Sequence, residues 1–383
     1  MSQNLDNLSV GTHLFSKRAL LYGHIRINSC VLPMICCRLR TRVTRNCATV
    51  DIPTVNGRFP GPTIEVNEGD KLIVKVTNKQ QYPVTLHWHG IKQFKTNYAD
   101  GPAHITQCPI QPNKSYIYEF TVNDQRGTFF WHAHVNWMRA TVHGALIIHP
   151  KKTAPYGEVE GEIPIIMGEF FGLHPNVVEL GFINTLTPVE NKTSLASTIN
   201  GFPGSFFNCS SATKVYKVKK DKTYLLRIID AAINSDHYFA VANHSVTVVA
   251  ADGNYLKPFE TAYVPMSPGQ TTEVLIKFDK PRGRYYFGMN AGPVPTVGAP
   301  PPFVPAVAIM RNSSMREPGG ENTQNVQSSR QVWRQLNDDN HLHLASSLGS
   351  SSILAARIER NEDLQEHGAA TCERNESDLV RRI

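Results

Sequence analysis

Long apolar runs are missing from this sequence of 383 residues. The longest stretch without a charge, Tyr285 to Met310, holds six prolines and three glycines, so a membrane-spanning helix could not persist through it. Charge is scarce too. Asp, Glu, Lys and Arg make up 19% of the chain, far from a coiled-coil composition, and 41% is hydrophobic, too much for wholesale disorder. A secretory layout is also lacking. Ala19 to Cys37 is loosely apolar, but Arg26 interrupts it, Arg38, Arg40 and Arg42 follow, and no small-residue cleavage site closes an unbroken core. The sequence therefore reads without a signal peptide.

A basic face is absent from the body. The net charge is +7, yet the first fifty residues carry seven Lys/Arg against one acid, residues 51–310 carry 23 against 20, and residues 311–383 carry nine against eleven. The run Lys214, Lys217, Lys219, Lys220 and Lys222 reads as a solvated strand and turn, and nucleic acid is not indicated as a partner. Lysine disappears from the last 73 residues, which use nine Arg and keep one aromatic, Trp333, whereas residues 51–310 use 17 Lys and six Arg. The two ends differ in composition from the middle.

What the middle contains is short strands. Thr63–Glu68, Lys71–Thr77, Ser115–Val122 and Thr141–Ile148 tend toward period-two alternation, with Gly, Pro and Asn between them. After a polar connector, Lys151–Glu162, the pattern resumes at Lys214–Val218, Tyr224–Ile229, Tyr238–Val241, Ser245–Ala250, Thr272–Phe278, Arg284–Met289 and Val304–Met310. No stretch of 51–310 reads as a long amphipathic helix. The expectation is an all-β chain of two consecutive β-sandwiches with irregular or disordered ends.

Two segments carry chemistry: Leu86-His87-Trp88-His89-Gly90 and Trp131-His132-Ala133-His134. In a strand, residues i and i+2 share a face, so each segment points two imidazoles the same way. Side by side, the two strands would gather four. Neutral imidazole ligates copper, zinc and iron, and an i, i+2 pair can feed two neighbouring metals or grip one. The third such pair, His341-Leu342-His343, lies in the tail and reads as incidental. His104 and His143 read as surface or hydrogen-bonded histidines, and Trp88, Trp131, Trp137 and Phe130 as packing around the site.

Further motifs join these: Val55-Asn-Gly-Arg-Phe-Pro-Gly-Pro-Thr-Ile, Ala99-Asp-Gly-Pro-Ala-His-Ile-Thr-Gln-Cys-Pro-Ile-Gln-Pro, Gly127-Thr-Phe-Phe-Trp-His-Ala-His, Arg139-Ala-Thr-Val-His-Gly-Ala-Leu-Ile-Ile, Asn200-Gly-Phe-Pro-Gly, Asn243-His-Ser-Val-Thr-Val-Val and Pro268-Gly-Gln-Thr-Thr. Over about residues 47 to 311 the sequence resembles plant laccases, which are multicopper oxidases. The resemblance implies cupredoxin-like (plastocyanin-like) Greek-key sandwiches: an N-terminal extension over 1–46, a ligand-bearing domain over 47–150, a second domain over 151–312 and an atypical tail over 313–383. It implies copper as cofactor, with His87 on the type 2 ion and His89, His132 and His134 on the type 3 pair. Asp100 would be the acidic residue beside the cluster that assists proton delivery, although Asp-Gly-Pro is also ordinary turn chemistry. Dioxygen and small phenolics, including lignol precursors, would be the substrates, and a secreted, apoplastic glycoprotein the setting. Seven sequons, at Asn7, Asn113, Asn191, Asn208, Asn243, Asn312 and Asn375, suit that setting.

The resemblance also implies a third domain bringing His-Pro-x-His-x-His and His-Cys-His segments. Neither segment occurs: His341 has Asp338 three residues before it, and Cys372 stands between Thr371 and Glu373. A type 1 copper site therefore cannot be assembled from these residues. The expectation is a laccase-type chain truncated before its third domain and inactive alone, with an apolar face left open for a third domain supplied from elsewhere or for an oligomer. The competing readings are a non-catalytic copper-binding or cell-wall interaction protein and a degraded gene product. By the same resemblance Cys47 pairs with Cys209, while Cys108 loses its partner and stays free.

Overall fold

The computed structural model describes residues 29–36, 41–183, 194–204, 213–291 and 306–312, and the statements below concern these. They form two all-β bodies. In the first, the strands Ser29–Cys36, Lys71–Asn78 and Ser115–Thr121 make one sheet, and Ile64–Asn67, His143–His149, Gly127–Ala133 and Leu86–His89 make the other. Leu72, Val74 and Val76 alternate inward from one sheet to meet Leu86, Trp88, Trp131 and Leu146 from the other, closing a single core. The second body pairs a six-stranded sheet, centred on Gly161–Phe170, Thr223–Asp230 and Thr271–Lys277, with a five-stranded sheet centred on Ala306–Asn312, Gly283–Ala291 and His237–Val241. Its core includes Ile165, Leu226, Ile228, Phe239, Val274, Phe287 and Met310. The basic run sits on an exposed strand and turn, where Lys219 and Lys222 pair with Glu160.

The segment before residue 47 is more regular than the sequence suggests. Ser29–Cys36 runs parallel to Lys71–Asn78, and Thr41–Arg45 forms a hairpin with Ala48–Ile52. Without the first of these strands, Lys71–Asn78 would be an edge with its backbone groups unpaired, and pairing there overrides a weak local signal. Val43 and Ile52 of the hairpin pack on Phe170 of the second body. Residues 1–28 and the expected tail, 313–383, lie outside the described residues.

Cys47 and Cys108 are both disulfide-bonded. The bonding of Cys108 corrects the expectation of a free thiol; Cys209, the expected partner of Cys47, lies outside the described residues. Alkylation of the unreduced protein is expected to leave Cys47 and Cys108 unlabelled. Label on Cys108 before reduction would restore the free-thiol reading.

A buried ion network joins the two bodies. Arg227 donates through Nε to Glu162 at 2.9 Å, and through Nη1 to Thr128 Oγ1 at 3.0 Å and to Glu273. The Thr128 hydroxyl donates onward to Glu273 at 2.8 Å, and Thr271 donates to the Thr128 carbonyl at 2.7 Å. Thr128 belongs to the strand that carries His132, while the other members belong to the second body. Arg227 and Glu273 are almost wholly buried, so removing one leaves the other charge stranded. Arg227→Met is expected to lower stability by about 3–5 kcal/mol, read from the denaturant midpoint. Lys220→Met, which removes an exposed pair with Asp221, should leave that midpoint in place.

Candidate metal centre

The histidines owe their position to strand pairing. In Leu86–His89 the burial pattern alternates, with Leu86 and Trp88 entering the core and His87 and His89 on the opposite face. The strand pairs antiparallel with Gly127–Ala133, setting His87 opposite His132, Trp88 opposite Trp131 and His89 opposite Phe130. His134 follows two residues beyond His132, where its backbone N–H donates to the Thr85 carbonyl at 3.0 Å. The four rings gather as expected: His87 lies 5.6 Å from His89, 5.3 Å from His132 and 5.4 Å from His134 between centroids.

Hydrogen bonds select the tautomers. His87 Nδ1 lies 2.8 Å from the Asp100 carbonyl, and His132 Nδ1 lies 2.9 Å from the Ala133 carbonyl. A carbonyl only accepts, so both Nδ1 atoms carry a proton, and in the neutral ring Nε2 keeps the lone pair for a ligand. Gly101 makes the first contact geometrically feasible. It has φ +101°, and a Cβ there would stand 1.8 Å from the Leu86 carbonyl oxygen. The turn can press against the strand because its Cβ is absent. Asp100 thus meets His87 through its backbone, with the carboxylate Oδ1 at 3.5 Å from the same nitrogen.

Three of the four histidines are shifted toward their neutral form. His89 is pushed down to about 4, first by burial and then by His87 and His134. His132 is held well below the ordinary histidine value, chiefly by burial, although the Ala133 carbonyl works the other way. His134, more exposed, is lowered by burial and by His87. Neutral imidazoles grouped around one small volume are the donor set that copper or zinc takes. Among the described residues one group could hold an ion with three ligand atoms, His87, His89 and His132, all within 4.8 Å of one another.

These histidines line a cleft of about 600 Å³. Its far wall is supplied by the second body: Ala231, Ala232, Ile233, Pro268 and Gly269. Gly269 has φ +95°, and a Cβ there would touch the His89 ring at 3.3 Å. Trp137, Arg139 and Glu179 stand at the mouth, where the helix Pro175–Ile183 packs on the 3-10 helix Asn136–Ala140. Trp88, Trp131 and Phe130 are buried as expected, but Trp137 is only half-buried and lines the cleft rather than the core. His143 is buried and donates to the Arg139 carbonyl at 2.8 Å, whereas His104 is exposed in a turn. His341 and His343 lie outside the described residues.

A network behind the far wall escaped the sequence reading. Glu169 accepts from the backbone N–H groups of Ile233 and Asn234 and from the Ser235 hydroxyl, at 2.8, 3.2 and 2.8 Å. Asp230 accepts from the Ala232 N–H at 3.0 Å and from His237 Nδ1 at 3.0 Å, and His237 Nε2 is buried with no partner. The only local signal was an acid closing one strand and a histidine opening the next, which reads as a turn.

Two β-bodies bridged by a buried ion network, with four imidazoles gathered in the cleft between them, define a two-sandwich architecture with a candidate metal site. The comparisons agree. Models of the multicopper oxidase family match residues 39–153 and 162–313. Laccase-12 of Arabidopsis thaliana is 49% identical over 254 residues, covering 66% of this chain and 45% of that protein. The chain spans less than half the length of such relatives. The crystal structure of the laccase from Botrytis aclada aligns with a TM-score of 0.64 and 27% identity, over 77% of this chain and 55% of that one. The blue copper oxidase from Nitrosomonas europaea, at 23% identity, shares the fold with a TM-score of 0.61 over 82% of this chain and 94% of its own. The chain belongs to the multicopper oxidase family.

The far-wall network has a pH signature. Burial opposes a charge on His237, but Asp230 at 3.0 Å, with Glu169 and Asp236 beyond it, overcomes that opposition and raises it above the ordinary 6.5. A histidine raised in the folded state contributes stability fully below its unfolded value and loses it as pH climbs through the raised one. The thermal midpoint is expected to fall as pH rises above the ordinary histidine value of 6.5, and to fall less steeply in His237→Gln. Parallel curves for the two proteins would show that His237 does not contribute to the fall.

Proposed function

We propose that this chain provides half of a laccase-type copper centre, with His87, His89, His132 and His134 as its ligands. By resemblance these are the type 2 and type 3 positions, and the reaction class is oxidation of phenolics, lignol precursors among them, coupled to reduction of dioxygen to water. The observation that carries this reading is the register that sets His87 opposite His132, with both lone pairs turned into one cleft. When bound, copper supplies one-electron acceptance and the reduction of dioxygen. The chain's own residues do the rest. Asp100 fixes the His87 tautomer through its carbonyl and holds a carboxylate beside the ring, where a proton can be stored or passed on. Ala231, Ala232 and Ile233 line the far side and present no charged side chain to the imidazoles.

The sequence has no His-Cys-His segment, so these residues form no thiolate centre for electron entry. Phenol oxidation then requires a third cupredoxin domain or a partner chain. The helix Pro175–Ile183, which turns Val177, Leu180 and Ile183 outward beside the cleft, supplies apolar surface for such a contact. The disulfides at Cys47 and Cys108 suit an oxidising, extracellular setting. A second reading, a non-catalytic copper-binding protein, is favoured by every histidine donor of the cleft coming from one body.

Copper loading of the purified chain separates these readings. Retained copper without a blue thiolate band and without oxygen uptake on a phenol is the expected result for the chain alone. Restoration of both by a separately produced third cupredoxin domain supports the oxidase reading, and failure to restore them supports the binding protein. A chain that holds no copper would sink both.

A further inference from the structure

The wall facing the histidines is tied to one residue. Asp230 donates its backbone N–H to the Gln270 carbonyl at 3.0 Å, and its carbonyl accepts from the Gly269 N–H at 2.9 Å. Its Oδ1 accepts from the Ala232 N–H at 3.0 Å, and its Oδ2 meets His237 Nδ1 at the same distance. Both side chains of that pair are wholly buried. We propose that the Asp230–His237 pair is a proton-controlled latch on this wall: with both partners charged it holds the wall closed against the histidine strand, and loss of the His237 proton releases it. The inference goes beyond the copper reading, because it concerns access to the cleft whatever the cleft binds.

Connectivity is the first support. The pair sits at the junction of the two segments that make the wall, Ala231–Ile233 and Pro268–Gly269. Gly269 is the piece that stands against His89, where a Cβ would come within 3.3 Å of the ring. Glu169 accepts from Ile233, Asn234 and Ser235 and so holds the first segment, while Asp230 holds both. His237 pairs in its sheet with Met266, two residues before Pro268, so its backbone flanks the second segment as well. Its Nε2 has no partner among the described residues, which leaves Asp230 as the polar anchor of the ring.

The second support is the charge around the pair. Asp230 stands opposite Met167 in its sheet, and His237 stands opposite Met266 and Ala291 in the other, none of them titratable. The further charges acting on the pair are Glu169 and Asp236, both negative, and Arg139 acts on Glu169 from the mouth of the cleft. Burial opposes the His237 proton, but Asp230, and then Glu169 and Asp236, hold it above the ordinary value. Once that proton leaves, Asp230 is a buried carboxylate without its cationic partner and with Glu169 nearby, which is the costly state of such a pair. Asp230 escapes it by turning toward the cleft, the open side of its loop. Its bonds to Ala232 and Gly269 then carry both wall segments with it.

The test is hydrogen exchange at single amides of the full chain without metal, over a pH series, with each rate divided by that of unstructured chain. As pH rises above the ordinary histidine value of 6.5, protection of the Ala232 and Gly269 N–H groups is expected to fall by about tenfold or more relative to Val74 and Leu226 in the two cores. His237→Gln, which strands the Asp230 carboxylate at every pH, should expose both amides below that value as well. Asp230→Asn, which removes the carboxylate, should make the curve flat. Level protection across the series in the native chain, loss in step with Val74 and Leu226, or a His237→Gln curve that matches the native one would overturn the proposal. The series on the native chain decides by itself, so a variant that fails to fold cannot obscure the outcome.

Discussion

Everything at the cleft depends on the register between Leu86–His89 and Gly127–Ala133. Side chains alternate with period two, so a slip of one residue would turn His87 and His89 into the core and Leu86 and Trp88 into the cleft. Trp131 guards against that slip. Its ring lies between the backbones of Gly61 and Gly144, where a Cβ would come within 2.5 and 2.6 Å of it, and Nε1 donates to the Pro62 carbonyl at 3.2 Å. A large ring in a slot between two glycines has one position, and it fixes the next residue, His132, on the opposite face. The imidazoles are thus oriented by packing on the far side of their own strand.

The second constraint is the joint between the two bodies. Phe130 and Ala145 from the first meet Ile166, Ile229 and Ala231 from the second in a small apolar cluster, and the Arg227–Glu273–Thr128 network lies on the same side. Phe130 and Thr128 are two residues apart on the strand that ends at Ala133, next to His134. The ligand strand is therefore the surface on which the second body docks. The position of the far wall relative to the histidines follows from that docking, with no contact required between wall and ligand beyond Gly269 against His89.

Much of this was legible in the sequence, for physical reasons. Period-two alternation found Lys71–Asn78 and Ser115–Thr121, because each has one face in a core, and short apolar runs between turn residues marked most strands of the second body. The imidazole cluster was legible because His-x-His in a strand has only one geometry. What was not legible is long-range. The strand Ser29–Cys36 gains its stability from an edge about forty residues away in the chain. Gly161–Phe170 was read in part as connector because it is buried on both faces and so does not alternate. Asp100 was expected to act through its carboxylate, and only the positive φ at Gly101 reveals that its carbonyl reaches His87 first. Glu169, Asp230 and His237 come from different strands, and no local pattern could have joined them.

The placement of that last network follows from the needs of the site. The far wall presents no charged side chain to the imidazoles, where a carboxylate would favour protonated histidine. Yet a loop running from Ala231 to Ser235 has backbone N–H groups that need acceptors. The fold meets both demands by setting Glu169 and Asp230 behind the loop. They accept the N–H groups of Ala232, Ile233 and Asn234 from the interior and leave alkyl groups and backbone toward the cleft. His237 meets Asp230 at 3.0 Å from the same interior side. The charge balance of the second body is in this way kept separate from that of the ligands, and His89 and His132 remain neutral although two carboxylates and a histidine lie buried behind the facing wall.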